Sequence, residues 1–288
     1  MTTISSLTKT SYVRLQNLSL LSYLVDARNA SPDLLYNKLA QQYGSIIQVR
    51  LGRKPKFLVT SPAGVEHILQ SNQHNYQGFS YSHDILRPLL GNGLLTSEGE
   101  TWLKHRRLAQ QAFHRNELEK LSSSMVLTMK NFIDAWNVRT QSNAIMNMGS
   151  EMGLLTMAVV TDALFGNNIG EQATHVRDAW PLVMDHLVSR MTNPFHLPDL
   201  IPIPGNLQYR KSLRLLNETI YGLISNYRLA PQKDVNLLGM LIDARDQQSD
   251  IQLDDQELRD EVMTIFLAGH ETCANALTWT LYLLAQYP

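Results

Sequence analysis

The feature that most constrains the fold is a long apolar helix predicted near the end of the sequence. Asp254 is a candidate N-cap, and Glu257 three residues later completes a capping-box pattern. Leu253 and Leu258 flank this start as the pair expected in a hydrophobic staple. The helical pattern then runs to about Gln286, roughly 48 Å at 1.5 Å per residue. A helix this long and apolar on several sides belongs through the middle of a domain.

Composition narrows the class of protein. The chain has 288 residues, 44% hydrophobic and 18% charged, enough for a sizeable globular core. A net charge of −1 gives no electrostatic reason to expect nucleic acid or an acidic membrane surface as a partner. Cys273 is the single cysteine, which excludes an internal disulfide and suits a reducing compartment.

The first thirty residues contain no continuous apolar span. Residues 18–25 are apolar-rich but interrupted by serines, too short to cross a bilayer, and lack a cleavage-site pattern. We therefore expect a soluble, cytoplasmic protein with no integral membrane span. A weak peripheral membrane contact stays open through four leucines, Leu18, Leu20, Leu21 and Leu24.

Local signals predict a mainly α fold with a small N-terminal β-hairpin. Ser31-Pro32 and Ser61-Pro62 are typical helix starts, and residues 46–51 and 56–60 are two short β-rich runs that form a hairpin. Residues 78–92 are expected to form a loop with one helical turn at 84–90. Further helices are predicted near residues 98–113, 117–138, 146–164, 174–191, 207–229 and 235–245.

Unusual residues interrupt the long helix at 266–275. Gly269, beside Ala268, costs roughly 1 kcal/mol relative to alanine inside a helix, so something is expected to approach the backbone closely. Glu271 and Thr272 place an acid and a hydroxyl where the pattern demands burial. This combination suggests a wall for a flat ligand, beside which protons are relayed. The alternatives are a surface carboxylate for Glu271 and a hydroxyl bonded back to the Ala268 carbonyl for Thr272.

A second candidate site lies on the helix predicted at 98–113. Trp102 and Arg106 are four residues apart and therefore share a face. Both side chains only donate hydrogen bonds, so the pair favours an anionic oxygen acceptor such as a carboxylate. The alternative is an arginine stacked on a tryptophan at the surface. His105, three residues from Trp102, could assist or could be a partly exposed polar residue.

The two segments together resemble the cytochrome P450 family. Ala268-Gly269-x-x-Thr272 is similar to a motif on that family's long central helix, and Trp102-x-x-x-Arg106 is similar to its haem-propionate-binding motif. The resemblance covers essentially the whole chain from about Ser31. It implies haem as the cofactor, with Trp102, Arg106 and His105 at a propionate.

Further site roles follow from the resemblance alone. Ala268 and Gly269 would face the distal side of the haem, where they leave room for dioxygen and substrate. Thr272 would order water, and Glu271 would help supply protons for cleavage of the O–O bond. The implied reaction is monooxygenation, in which one oxygen atom of O2 enters an apolar substrate, with electrons from a separate ferredoxin- or flavin-type reductase. Substrate contacts are expected from residues 78–90, 184–203 and 266–269.

The sequence also departs from the family pattern. Neither the family's Glu-x-x-Arg helix nor its cysteine-ligand loop occurs in residues 1–288. The resemblance thus implies an N-terminal segment, 1–30, and a partial P450-type domain, 31–288, that lacks the proximal thiolate half and is inactive alone. The alternatives are a non-catalytic remnant, one half of a split protein, and a helical binding protein unrelated to haem.

The central segment contains two further residue patterns that are typical of metal sites. Cys273 adjoins Thr272 on the same helix, and a thiolate ligand must approach the iron from the opposite face. We therefore predict that Cys273 is a buried thiol in the core rather than an iron ligand. His270-Glu271 begins a zinc-protease motif, but that motif requires a histidine where Ala274 stands. No metal ligand is therefore predicted in this chain.

Overall fold

A computed structural model describes residues 13–14, 32–50, 55–76, 80–141, 145–170, 172–192, 197–230, 235–245 and 251–287. These fall into two compact units, Met1–Gly78 and Phe79–Pro288. The leucines named above for a membrane contact, and the Ser31 helix start, lie outside the described residues.

The first unit is built around a small sheet. Strands β2 (Ile46–Arg50) and β3 (Pro55–Val59) pair antiparallel, with Ile47 opposite Leu58, which confirms the predicted hairpin. A two-residue strand, β1 (Val13–Arg14), adds to β2 in parallel and was not predicted. Its described helices are α1 (Pro32–Tyr43) and α2 (Pro62–Glu66), the latter extended by a π-helical turn, His67–Ser71, and followed by a 3-10 turn, Gln73–Asn75.

The second unit is helical throughout its described elements. Its α-helices are α3 (Ser80–Leu90), α4 (Gly99–Ala112), α5 (Arg115–Thr140), α6 (Met148–Phe165), α7 (Gln172–Thr192), α8 (Pro204–Leu229), α9 (Leu237–Asp243) and α10 (Asp255–Gln286). A 3-10 helix, Gly166–Ile169, follows α6. Most bounds match the predicted helices within a few residues. The mainly α prediction is therefore confirmed.

One segment differs clearly from its prediction. Helix α3 spans eleven residues, where a loop with one helical turn was expected. Ile85 and Leu89, four residues apart on one helix face, are buried in the main core together with Leu90. Pro88 lies inside this helix, where it removes one backbone hydrogen bond. Burial of this face outweighs the weak helix propensity of the segment.

Helix α10 begins as predicted and lies at the centre of the unit. Asp254 accepts a hydrogen bond from the Glu257 backbone while the Glu257 side chain accepts one from the Asp254 backbone, which completes the capping box. Leu253 and Leu258 are both buried beside this start. Helices α3, α6, α8 and α9 pack against α10. Burial declines along it, and residues 279–287 are exposed.

Helix α6 supplies the other wall of the core. It is the one described helix that is long and apolar enough to cross a membrane, a test that core helices of other proteins also pass. Here it packs against both α5 and α10. Leu164 and Phe165 are buried in the main core cluster. Its apolar composition is thus matched to helix packing within the unit.

Candidate functional site

The predicted acid–alcohol segment lies where α10 emerges from the core. Thr272 and Ala268 are both exposed and lie one turn apart on the same face of the helix. The Thr272 hydroxyl donates to the Ala268 carbonyl oxygen at 2.6 Å. Glu271 is half-buried and has no side-chain hydrogen bond among the described residues. Because the threonine proton is used within the helix, the remaining lone pairs of that oxygen are available to accept.

Gly269 faces a different neighbour from Ala268 and Thr272. A Cβ atom at this position would lie 3.1 Å from Cγ2 of Val160 on α6. The close approach expected at Gly269 is therefore supplied, in this structure, by the packing of α6 on α10. A mostly apolar cavity of about 330 Å³ opens beside this crossing, with Ile265, Gly269, Cys273 and Leu277 of α10 in its wall.

Cys273 is exposed, so the prediction of a buried core thiol is wrong. Its side of α10 borders the cavity between α5, α6 and α10 rather than a packed neighbour. Because α10 is apolar on several faces, its sequence could not show which of these faces a neighbouring helix covers.

The stretch before the acid–alcohol pair is firmly packed. Phe266 is buried against Trp180 of α7, with ring centroids 4.5 Å apart in an edge-to-face arrangement. Nε2 of His270 lies 3.1 Å from the Gly153 carbonyl oxygen of α6, which requires the proton on Nε2. Burial lowers the pKa of His270, against the opposing effects of that hydrogen bond and of Glu271. Phe266 is thus held in the core, away from any open substrate surface.

Trp102 and Arg106 project from the exposed face of α4. The tryptophan side chain is 42% exposed, and Arg106 is also exposed. Within the described part of the chain, neither side chain has a hydrogen-bond or ion-pair partner. Two donors on one helix face are therefore free to meet an anionic oxygen from outside.

His105 points toward α10 instead. It is completely buried; its Nδ1 lies 2.7 Å from Oε1 of Glu261 and its Nε2 lies 3.4 Å from Oε1 of Glu257. Burial opposes the charged ring, but the hydrogen bonds and charges of Glu261 and Glu257 outweigh it and raise the pKa of His105 above 6.5. His105 is therefore separated from the exposed pair with which it was grouped by sequence.

Three consecutive charged residues of α10 form a buried cluster that the sequence analysis missed. Arg259 donates to Asn217 of α8 at 2.8 Å, and Asp260 accepts from the backbone N–H of Asn92 at 2.7 Å. Arg259 and Asp260 also pair with each other at 2.9 Å, while Glu261 takes His105. Each residue thus ties α10 to a different element. A run of three charges inside a predicted core helix was the available signal, since such residues are rarely buried unless paired.

Comparison with known proteins relates this geometry to a family. The family model for cytochrome P450 matches residues 14–288. Pentalenene oxygenase of Streptomyces avermitilis is 31% identical over 247 residues, covering 85% of this chain and 54% of the relative. Cyclooctatin synthase of Streptomyces melanosporofaciens is 31% identical over 248 residues, covering 85% of this chain and 53% of the relative. The chain thus spans about half the length of these curated relatives.

Solved structures agree on the fold. The crystal structure of the cytochrome P450DA heme domain superposes with a TM-score of 0.81 at 22% identity, covering 96% of this chain and 61% of that chain. The match of the family model to nearly all of the sequence shows that this chain belongs to the cytochrome P450 family.

Proposed function

We propose that the protein containing this chain is a haem-dependent monooxygenase that inserts one oxygen atom of O2 into an apolar organic substrate. The observation that carries the proposal is the pair of unpartnered donors, Trp102 and Arg106, in a member of the P450 family. The open face of Ala268 and Thr272 on the central helix supports it.

The side chains that are present fit the edge of a haem. Trp102 and Arg106 would hold a propionate, because both are exposed donors on one face of α4 and have no acceptor among the described residues. Both ring nitrogens of His105 face carboxylates of α10, so we leave this residue out of the propionate contact. Haem, when bound, supplies the activation of O2. We assign its iron ligand to no residue of this chain.

The acid–alcohol pair would manage water and protons beside the cofactor. The Thr272 hydroxyl donates inward to Ala268, which leaves its oxygen to accept a hydrogen bond from water. The neighbouring Glu271 carboxylate, without a side-chain hydrogen bond among the described residues, would exchange a proton with that water. Ala268 offers only a methyl group on this face, which leaves space for dioxygen and substrate.

The substrate class is proposed from the relatives. One of them is named for pentalenene, a terpenoid hydrocarbon. Terpenoids are among the apolar compounds, with fatty acids and alkanes, that the apolar substrate-facing segments allow. We therefore propose a terpenoid hydrocarbon, with electrons from a separate ferredoxin- or flavin-type partner.

Oxygen coupling tests the assignment of Thr272. In the protein expressed from its complete reading frame, Thr272→Ala should raise the amount of O2 consumed per product formed. The reason is that the water that delivers protons to the reacting O2 would lose its hydrogen bond to the Thr272 hydroxyl. Pentalenene is the first probe substrate. Thr280→Ala is a matched control, since Thr280 is exposed on the same helix and donates to the Ala276 carbonyl oxygen at 2.7 Å. Unchanged coupling in Thr272→Ala, or an equal loss in Thr280→Ala, would remove Thr272 from the mechanism.

A further inference from the structure

Helix α4 is fixed to the central helix by a buried charged contact. The His105 ring, completely buried, meets the equally buried carboxylate of Glu261, with 2.7 Å between Nδ1 and Oε1. A second, outer link joins the same helices, where Lys104 donates to Glu257 at 2.6 Å. Glu257 also approaches Nε2 of His105. The ring therefore lies between two carboxylates of α10 and can serve both only when it carries both protons.

The rotation of α4 about its own axis follows from this contact. His105 is next to Arg106 in sequence, so their side chains leave the helix about 100° apart. Once His105 is directed at Glu261, Arg106 points toward the exposed side of α4. Trp102 lies between these two directions around the helix axis and is 42% exposed. A turn of the helix by one position would bury the arginine and expose the histidine. The direction of the two free donors is thus set by a residue that does not contact the ligand they would bind.

The charge arrangement makes this link specific. Glu261 is completely buried, and its Oε2 has no hydrogen-bond partner among the described residues, so the His105 proton is what compensates its charge. Among the residues that the structure describes, Lys104 of α4 and the neighbouring charged groups of α10 already have partners. Lys104 binds Glu257, while Arg259 and Asp260 bind each other. A neutral apolar side chain at position 105 would therefore leave the buried Glu261 carboxylate without a hydrogen-bond donor.

We infer that His105 is a positioning residue whose contact with Glu261 orients Trp102 and Arg106 toward the haem propionate. This inference rests on the proposed function, because it needs the propionate contact to exist. His105→Leu should weaken haem binding about tenfold, the lower end of the loss in affinity seen when a partner that orients a metal-ligating residue is removed. His105→Gln keeps an N–H donor for Glu261 and should lose less.

Haem affinity of the apoprotein from the complete reading frame provides the test. Haem is titrated into wild type, His105→Leu, Arg106→Ala and the double variant, and binding is followed by Soret absorbance. Thermal unfolding of each apoprotein is measured in parallel. If His105 acts through the two donors, His105→Leu should weaken haem binding less in the Arg106→Ala background than in wild type, and the loss that remains should come from Trp102. Lys104→Met, which removes the outer link between the same helices, should change haem affinity less than twofold.

The outcomes separate the two claims. An Arg106→Ala variant with unchanged haem affinity would overturn the propionate assignment itself. A weakened Arg106→Ala variant whose effect adds in full to that of His105→Leu would show that His105 only stabilises the fold, which would overturn the inference. If His105→Leu proves too unstable to titrate, the pH dependence of haem affinity in His105→Gln tests the inference instead. In wild type, haem affinity should decline as pH rises through the raised pKa of His105, and in His105→Gln this decline should be absent; an identical decline in both proteins would overturn the inference.

Discussion

The turn before α4 offers a sharp test of how the helices are held on α10. Gly91, at φ 58°, and Gly93 lie flat against the central helix, where the Asn92 N–H donates to Asp260 at 2.7 Å. A Cβ added at Gly93 would lie 2.7 Å from the Asp260 carbonyl oxygen and closer still to the Thr264 hydroxyl. Both are parts of the buried central helix and have little room to move. Gly93→Ala should therefore push the turn away from α10.

The magnitude follows from the two contacts affected. Overpacking a rigid site costs roughly 1–3 kcal/mol. Loss of the Asn92 hydrogen bond to a buried carboxylate costs roughly 1.5–3 kcal/mol. Allowing for a small gain from restricting the unfolded chain, we expect a loss of about 3 kcal/mol in unfolding free energy. For a unit of this size, that lowers Tm by roughly 6–12 °C.

Thermal unfolding followed by circular dichroism measures the loss. Gly205→Ala is the matched control, because Gly205 lies in the first turn of α8 with no heavy atom within 4 Å of an added Cβ. That change should leave Tm unaltered or slightly higher. Adding Thr264→Ala to Gly93→Ala should recover only part of the loss, since the carbonyl contact remains. A Gly93→Ala protein as stable as wild type would refute the reasoning.

Three further results are expected. Cys273 is exposed and should react with a thiol reagent in the native protein, at a rate that unfolding raises little; protection until unfolding would contradict its exposure. Burial raises the pKa of Tyr209 to about 12, and its hydroxyl has no partner among the described residues. Tyr209→Phe should therefore be neutral or stabilise by up to about 1 kcal/mol in denaturant unfolding, and a loss above that size would reveal a missed partner. The raised pKa of His105 stabilises the fold below pH 6.5, and this contribution should fade as pH rises through the folded-state pKa. The unfolding free energies of wild type and His105→Gln should therefore differ most at acid pH and converge at alkaline pH. A difference that is constant with pH would contradict the charged contact with Glu261.

Much of the fold could be predicted from local sequence signals. The capping box at Asp254 and Glu257 depends only on residues three apart, so the start of α10 could be predicted to the residue. The serine start at Ser61 is equally local, and its side chain accepts from the Gly64 backbone. Helix α3 was missed because its stability comes from burying Ile85 and Leu89 rather than from its own propensity.

The site shows the same division. Spacing alone places Trp102 and Arg106 on one face, which the structure reproduces. It could not tell that His105 would turn toward α10, because that depends on Glu261, which is 156 residues away in sequence. Likewise, the sequence could not show that a Cβ atom at Gly269 would lie 3.1 Å from Cγ2 of Val160 on α6. The spacing of residues along the sequence identifies which of them share a helix face. Which element that face contacts depends on tertiary packing.

The central claim is that the free donors of α4 hold the propionate of a haem. An experimental structure of the haem-loaded protein, expressed from its complete reading frame, tests this most directly. The account predicts a propionate oxygen within hydrogen-bond distance of both Trp102 Nε1 and the Arg106 guanidinium, with His105 still bound to Glu261. A haem whose propionates are held by other residues, with Trp102 and Arg106 remaining in solvent, would contradict it.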